Sequence, residues 1–176
     1  MVRLRTFTTL GLLCVLVTSG WVYAQQKGGS RHATLTAQDN ADIQLLYARY
    51  NQGSDFGDTE MWMSIWTDDA VFKPSPKQTL TGTKELAEFR AARNAARNAA
   101  TGSQARHWNS SLVLSPTPGG ASARAYFLVL NTTTGKQPVT MLAGYYDDTF
   151  VKSDKGWRLK TRTLISDPPA TGQRSQ

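Results

Sequence analysis

The spacing of apolar side chains changes near the middle of the chain. Up to about residue 100, apolar positions recur every three or four residues, which is typical of one face of an α-helix. The first such segment follows Thr36, which forms a weak capping-box pattern with Asp39. The sequence predicts that this helix ends at the glycines of 53–57. Its apolar positions are Ile43, Leu46, Tyr47 and Tyr50.

Two further helices and two short strands are predicted before residue 102. A short helix is expected over about 58–66, DTEMWMSIW, and a longer one after Gly82 that Gly102 closes. The runs DDAVFKP and KQTLTG between them are typical of strands. Three basic residues repeat at helical spacing on the longer helix, and we interpret them as a solvated face: Arg90, Arg93 and Arg97.

The second half of the chain shows the period of two that strands have. Four such runs are separated by the turn sequences PTPGG, TGKQ and SDKG, and short connections of this kind join antiparallel neighbours. Helices followed by a series of long strands indicate an α+β fold. Between the last two runs we expect Asp147 or Asp148 to pair with Lys160 or Arg162. The runs are RHWNSSLVLS, ASARAYFLVLNTT, PVTMLAGYYDDTFVKS and GWRLKTRTLIS.

The second of these strands is apolar on both faces. One face carries Ala123, Ala125, Phe127 and Val129, and the other carries Tyr126, Leu128 and Leu130. Helices that pack on one side of a sheet leave the other side in water, so an apolar second face needs a cover. A second copy of the chain stacked on that face is the simplest cover, and the interior of a closed barrel is the alternative.

Residues 1–24 have the features of a secretory signal peptide. Two arginines precede an apolar core over 10–17, and the segment ends in the small-residue cleavage pattern VYA. The core is too short for a stable membrane anchor. We therefore expect export to the periplasm or out of the cell. The only cysteine, Cys14, would leave with the signal, and the exported chain would then hold no disulfide or thiolate site.

The remainder is predicted to be one domain over 35–167, between a flexible leader over 25–34 and a flexible tail over 168–176. The leader contains His32, which we interpret as solvated. The chain has 20 basic and 13 acidic residues, a balance that favours anionic surfaces or ligands. Its basic residues do not alternate with aromatic residues in a dense tract, which excludes the nucleic-acid-binding class. Outside the leader there is one histidine, His107, and with scattered carboxylates it predicts no zinc site.

A polar strip on the first predicted helix has a counterpart on the first long strand. If the helix continues to Asp55, its five strip residues share one face, and this strip can meet the polar strip of the strand that begins at His107. A carboxylate that binds one ring nitrogen fixes the histidine tautomer and leaves the other nitrogen for proton transfer; a purely structural Asp–His pair is the alternative. The helix strip is Tyr47, Tyr50, Asn51, Ser54 and Asp55, and the strand strip is His107, Asn109, Ser111 and Val113.

Four segments occur here in the order found in one known group of proteins: IQLLYARYNQGSDFGDTEMWMSIWTDDAVF, LTGTKELAEF, RHWNSSLVL and LAGYYDDTFVKSDKGWRLKTR. Over about 36–166 the chain resembles the SnoaL-like branch of the nuclear transport factor 2-like superfamily. The resemblance implies a cone-shaped, curved antiparallel sheet wrapped around the N-terminal helices, with a pocket inside. It also implies a homodimer formed through the convex face of the sheet.

The resemblance further implies roles for two residues. In scytalone dehydratase and its relatives, an aspartate after the first long helix faces a histidine at the start of a central strand, and Asp55 and His107 hold those places here. The tyrosine that precedes the aspartate of the dehydratase is replaced by Ser54. The second histidine on its penultimate strand has no counterpart, and Tyr145 or Tyr146 is our candidate proton donor in that stretch.

Three functions stay open at this point. The first is a cofactor-independent dehydratase or isomerase in which Asp55 orients His107 and Tyr47 or Tyr50 holds the oxygen of a small apolar or cyclic substrate. The second is a binding protein with the same pocket and no chemistry, and the third is a dimeric interaction domain whose cone is filled by its own side chains. The predicted pocket wall, with a core role as the alternative, is Tyr47, Tyr50, Trp62, Trp66 and Phe72.

Overall fold

The computed structural model describes residues 34–100, 104–133 and 135–168. The predicted signal peptide, His32, and most of the predicted leader and tail lie outside these ranges. None of the described helices combines the length and the apolarity that crossing a membrane requires. The helices are Ala37–Phe56 (α1), Thr59–Met63 (α2) and Gly82–Ala99 (α3). The strands are Trp66–Ser75 (β1), Gln78–Thr81 (β2), Ala105–Thr117 (β3), Gly120–Asn131 (β4), Val139–Ser153 (β5) and Gly156–Ser166 (β6).

Helix α1 begins and ends with the capping chemistry that its sequence contains. Thr36 and Asp39 form a reciprocal capping box, in which each side chain accepts from the backbone N–H of the other. The helix ends at Gly57, whose φ of 75° is left-handed. The helix continues through Gly53. A side chain at this position would collide with the backbone of Trp62, so glycine here allows α1 and α2 to pack closely. Of the two glycines predicted to end the helix, Gly57 does so, and α1 includes the turn after Gly53 that carries the candidate site.

The second predicted helix is shorter than expected. Asp58 caps the start of α2 through the N–H of Met61, and the helix ends at Ser64. Trp66, which we expected on this helix, instead opens β1 opposite Leu159 of β6. The chain turns into the sheet here because the buried side of Trp66 packs with the aromatic core.

The sheet is open and has six strands in the order β2-β1-β6-β5-β4-β3. This architecture confirms the α+β fold with N-terminal helices and excludes the closed-barrel alternative for the described strands. Four of the five neighbouring pairs are antiparallel, while β1 and β6 are parallel. The parallel pair occurs where no short connection joins the two strands, which are far apart in the sequence.

The core lies between the inner face of the sheet and the helices α1 and α2. It is dominated by aromatic rings whose centroids lie 4.6–6.4 Å apart, within the range of favourable edge-to-face and offset contacts. Burial of these large rings is the main source of stability that the described domain offers. Its most deeply buried side chains include Ile43, Trp62, Ile65, Phe72, Leu86, Phe127, Tyr146, Phe150 and Leu159.

A β-bulge in β3 changes which side chains face the core. The pairing with β4 slips between Ser110 and Val113, and Ser111 has a φ of 54°. Beyond the bulge, Val113 is 65% exposed, whereas Leu114 packs against the core. Simple alternation from His107 had placed Val113 on the inner face, and the extra residue of the bulge reverses that prediction.

Candidate functional site

The last turn of α1 and the start of β3 bring Asp55 and His107 together. Oδ1 of Asp55 lies 2.5 Å from Nδ1 of His107. The same carboxylate accepts the backbone N–H of His107 at 3.1 and 3.2 Å. Asp55 is buried, whereas the side chain of His107 is 20% exposed. The two residues therefore form a dyad. The backbone N–H and the ring of His107 both hold the carboxylate, and the imidazole is partly exposed to solvent.

The backbone at the end of α1 is held by two long side chains. Arg90 of α3 donates to the carbonyl oxygens of Gly53 at 2.6 Å and Ser54 at 3.2 Å. Gln104, just before β3, donates to the carbonyl of Asp55 at 3.0 Å. These donors satisfy carbonyls that a helix end leaves without partners. Arg90 is thus a buried anchor, which corrects its interpretation as part of a solvated face.

The dyad has the arrangement needed for acid–base chemistry. The 2.5 Å contact occupies Nδ1 of His107, so Nε2 is the nitrogen that can exchange a proton with a ligand. Among the described residues, Nε2 has no hydrogen-bond partner. Within the same residues, no group of three His, Cys, Asp or Glu side chains is placed to hold a metal ion.

Polar side chains continue from the dyad along both elements, as the paired strips predicted. Nδ2 of Asn51, one turn before Asp55, donates to Oδ1 of Asn109 at 2.5 Å. Asn109 lies two residues after His107 on the same face of β3. Oδ1 of Asn51 is buried and has no hydrogen-bond partner in the described part of the chain.

The five aromatic residues predicted as a pocket wall form part of the core. Each is at most 6% exposed. The rings of Tyr50, Trp62, Trp66 and Phe72 lie 5.1–6.3 Å apart, whereas the Tyr47 ring contacts Phe150 at 6.0 Å. Tyr50 connects this cluster to the dyad, because its ring meets that of His107 edge-on at 6.3 Å. The rings pack directly behind the imidazole. The cluster consists of Tyr47, Tyr50, Trp62, Trp66 and Phe72.

Tyr145 does not lie with the other predicted site residues. It pairs with exposed Tyr126 on the outer face of the sheet, and its ring lies under the guanidinium of Arg124 at 4.8 Å. Its neighbour Tyr146 is buried on the inner face and contacts Tyr50 at 5.9 Å. Consecutive residues of a strand point to opposite faces, so Tyr145 lies on the face opposite to Asp55 and His107, whereas Tyr146 lies on the same face as Tyr50.

A buried ion pair lies on the other side of the tyrosines. Arg162 of β6 binds Asp148 of β5 through two hydrogen bonds of 2.7 and 3.0 Å, as the cross-strand prediction allowed. The hydroxyl of Tyr47 donates to the same carboxylate at 2.5 Å. Because this hydroxyl is occupied, Tyr47 does not have the free donor that holding a substrate oxygen would require.

Burial sets the protonation of this network. Burial, followed by the charge of Asp148, raises the pKa of Tyr47. Burial also raises the pKa of Tyr50 and Tyr146. Burial alone would lower the pKa of Arg162, but the charge and hydrogen bonds of Asp148 outweigh it and raise that pKa. At neutral pH the three phenols therefore stay protonated and the guanidinium stays charged.

A concavity of about 420 Å³ lies elsewhere, on the outer face of the sheet. Serine and threonine hydroxyls and the exposed pair of Arg124 and Asp147 line it. Neither Asp55 nor His107 contributes to its lining. The concavity is therefore separate from the dyad.

The chain belongs to the SnoaL-like domain family, whose model matches residues 35–163. This match includes β1–β5, most of β6 and both residues of the dyad. No curated protein matches the chain in sequence. The expected resemblance to SnoaL-like, nuclear transport factor 2-like proteins is thus confirmed at the level of family and fold.

Solved structures agree with this assignment. A protein of unknown function from Mycobacterium tuberculosis is 25% identical, with 80% of this chain and 84% of that chain covered and a TM-score of 0.66. A candidate scytalone dehydratase from Novosphingobium aromaticivorans is 21% identical, with 76% and 89% covered and a TM-score of 0.62. A nuclear transport factor 2-like protein with a cystatin-like fold from the same species is 23% identical, with 76% and 85% covered and a TM-score of 0.63.

Proposed function

We propose that the protein is a cofactor-independent acid–base enzyme of the dehydratase or isomerase type, with His107 as the proton-transferring group and Asp55 as its orienting partner. The observation that carries this proposal is the 2.5 Å contact at Nδ1, which leaves Nε2 of a partly exposed imidazole available. Membership of the SnoaL-like family and the fold shared with a candidate scytalone dehydratase support it.

The substrate is a small, largely apolar or cyclic compound that carries a carbonyl and a hydroxyl group. Nε2 of His107 removes a proton from the carbon beside the carbonyl and returns it to another carbon or to a leaving hydroxyl. The outcome is a shifted double bond in the first case and loss of water in the second. A positioned acid–base group of this kind contributes roughly 10²- to 10⁴-fold in rate.

The test is turnover of a panel of small cyclic hydroxy-ketones by the wild type, His107→Gln and Asp55→Asn. We expect kcat to fall by about 10²- to 10⁴-fold in His107→Gln and strongly in Asp55→Asn. Asp147→Asn, on the outer face of the sheet, is the matched control and should keep wild-type turnover. Equal turnover in all four proteins removes the dyad from the mechanism. Saturable binding without turnover supports the binding-protein alternative instead.

The protein is also proposed to be a homodimer that buries the outer face of β3 and β4. Four large apolar side chains on this face are each 41–65% exposed. Together they form an apolar patch, which is typical of an interaction surface, whereas single exposed apolar residues are not. Trp108→Ser with Leu128→Ser should convert a dimer to a folded monomer in sedimentation experiments, and a wild-type monomer would contradict the proposal. The four side chains are Trp108, Val113, Tyr126 and Leu128.

Export is the remaining part of the proposed function, and residues 1–24 support it by their charged, apolar and small-residue segments. Expression of the full chain in a bacterium with an outer membrane should release a periplasmic form that begins at Gln25. The mass of the purified protein checks this outcome. A cytoplasmic product of full mass would contradict it.

A further inference from the structure

One side chain joins the two elements that carry the dyad. Nε2 of Gln104, the residue before β3, donates to the backbone carbonyl of Asp55 at 3.0 Å and to that of Ala105 at 2.8 Å. Asp55 lies in the last turn of α1, and Ala105 lies two residues before His107 on β3. A side-chain amide nitrogen carries two hydrogens, and these two carbonyls use both of them. Gln104 therefore links the end of the helix to the start of the strand beside the dyad.

The backbone of Gln104 is itself fixed to the sheet. Its carbonyl oxygen accepts the backbone N–H of Thr132 at 2.8 Å and the hydroxyl of the same residue at 3.0 Å. Thr132 directly follows β4, the strand that pairs with β3. Because the main chain of Gln104 is held in this way, its amide keeps the carbonyl of Asp55 at a set distance from β3. Supporting hydrogen bonds of this kind determine how precisely a functional group is placed.

The dyad depends on the separation that Gln104 controls. The Asp55 carboxylate and the His107 ring approach to 2.5 Å, and β3 is paired with β4 on one side only. A displacement of about 1 Å can lower the rate of a reaction about 100-fold. We propose that Gln104 is a positioning residue of the acid–base site, whose amide holds α1 and β3 at the distance at which Asp55 fixes the tautomer of His107. The kinetic part of this proposal rests on the function proposed above.

Loss of the Gln104 amide should change where the proton lies on the imidazole of His107. An ionised carboxylate only accepts hydrogen bonds, so the contact with Asp55 places the proton of a neutral ring on Nδ1 and leaves Nε2 without one. If the end of α1 moves away from β3, this contact weakens and the tautomer with its proton on Nε2 becomes populated. Nitrogen NMR distinguishes the two tautomers, and the chain has only two histidines to assign.

The experiment compares the wild type with Gln104→Met, because methionine has nearly the length of glutamine and no N–H donor. Asn94→Leu is the matched control. Asn94 also donates its side-chain amide at the end of α1, to the carbonyl of Gly57 at 3.1 Å and the hydroxyl of Thr59 at 3.0 Å, but neither acceptor belongs to the dyad or to β3. Spectra of the full chain are recorded at mildly alkaline pH, where an ordinary imidazole is neutral, and His107→Gln assigns the signals.

The position of the proton on His107 is the first readout. We expect it on Nδ1 in the wild type and in Asn94→Leu, whereas Gln104→Met should show a mixture of the two tautomers. Unchanged His107 signals in Gln104→Met overturn the proposal. An equal change in Asn94→Leu also overturns it, because any loosening of the helix end would then be sufficient. A wild-type ring with its proton on Nε2 contradicts the proposal as well.

Turnover of the hydroxy-ketone panel is the second readout. In Gln104→Met, kcat should fall about 10- to 100-fold with little change in KM, because the amide is bound to backbone carbonyls and offers no group to a substrate. A higher KM with unchanged kcat would contradict a positioning role. If the wild type converts no substrate and the NMR difference is still observed, the acid–base function fails while the positioning of the dyad by Gln104 stands.

A measurement on the wild type alone keeps the proposal testable if Gln104→Met does not fold. Both side-chain amide protons of Gln104 should exchange with water more slowly than those of Gln38, which is exposed and donates to Asp42 on the surface of α1. Equal exchange rates of the two amides would overturn the proposal without any variant.

Discussion

Removal of one partner of the buried pair formed by Arg162 and Asp148 is expected to cost more stability than removal of both. The two side chains are 1% and 0% exposed and share two hydrogen bonds. Arg162→Met leaves a buried carboxylate whose one remaining partner among the described residues is the hydroxyl of Tyr47. Asp148→Leu leaves a buried guanidinium among aromatic rings. Loss of one partner of such a pair costs about 3–5 kcal/mol.

The double variant has no uncompensated charge. Apolar replacement of a whole buried ion pair is often neutral, and the main loss here is the acceptor of the Tyr47 hydroxyl, which costs about 1–3 kcal/mol. The sum of the two single costs in the free energy of unfolding should therefore exceed the cost of the double variant by at least about 3 kcal/mol. Urea unfolding of the four proteins, followed by tryptophan fluorescence, measures this difference.

The neighbouring pair formed by Arg124 and Asp147 supplies a control of the same chemistry. It joins β4 to β5, and Asp147 is the residue before Asp148 on β5. Its atoms approach to 2.9 Å, and its side chains are 59% and 46% exposed. Arg124→Met should leave the unfolding curve almost unchanged, because water replaces what an exposed pair loses. Additive costs at Arg162 and Asp148, or an equal cost at Arg124, would refute the reasoning that burial sets the magnitude.

Two further predictions concern the backbone and acid stability. Gly57→Ala should lower the free energy of unfolding by about 1–2 kcal/mol, since its φ of 75° is unfavourable for alanine. Gly119→Ala, at a φ of 78° with open space around it, measures the cost of this backbone conformation alone in the same urea titration. Hydrogen bonds from Lys152, the Thr36 backbone and Trp157 lower the pKa of Asp39, so its stabilisation is complete above the ordinary carboxyl range and is lost as pH falls through the lower folded value. The gap in Tm between the wild type and Asp39→Asn should consequently narrow progressively as pH falls below about 4, and a gap independent of pH would contradict this assignment.

Local patterns were sufficient for most of the architecture. The capping residues Thr36 and Asp39 and the turn sequences between the long strands act over a few residues, so their effect can be predicted from the sequence alone. The proximity of Asp55 and His107 was predictable only as a meeting of two polar strips together with a family resemblance. No local pattern determines that Asp55 at the end of α1 and His107 at the start of β3, which are 52 residues apart in the sequence, approach to 2.5 Å.

The errors arose where tertiary contacts override local spacing. The bulge at Ser111 reverses which side chains of β3 face the core, and no residue type in the sequence predicts a bulge at this position. Arg90 looked like a surface residue because two other arginines repeat with it. It lies four residues after buried Leu86, however, and this spacing on the apolar face of α3 was the available signal. Tyr145 and Tyr146 are adjacent, so an error of one residue exchanges the two faces of the sheet.

The position of β3 at the sheet edge explains why Asp55 has two separable roles. Strand β3 pairs only with β4, so N–H groups on its free side need other acceptors, and Asp55 accepts that of His107. This backbone role requires only an oxygen, which asparagine also provides. Orientation and electrostatic support of the imidazole require the carboxylate. Asp55→Asn should therefore fold nearly as well as the wild type while losing the proposed acid–base activity, whereas Asp55→Ala should lower both the stability and that activity. A purely structural pair predicts that the Asn variant differs from the wild type in neither respect.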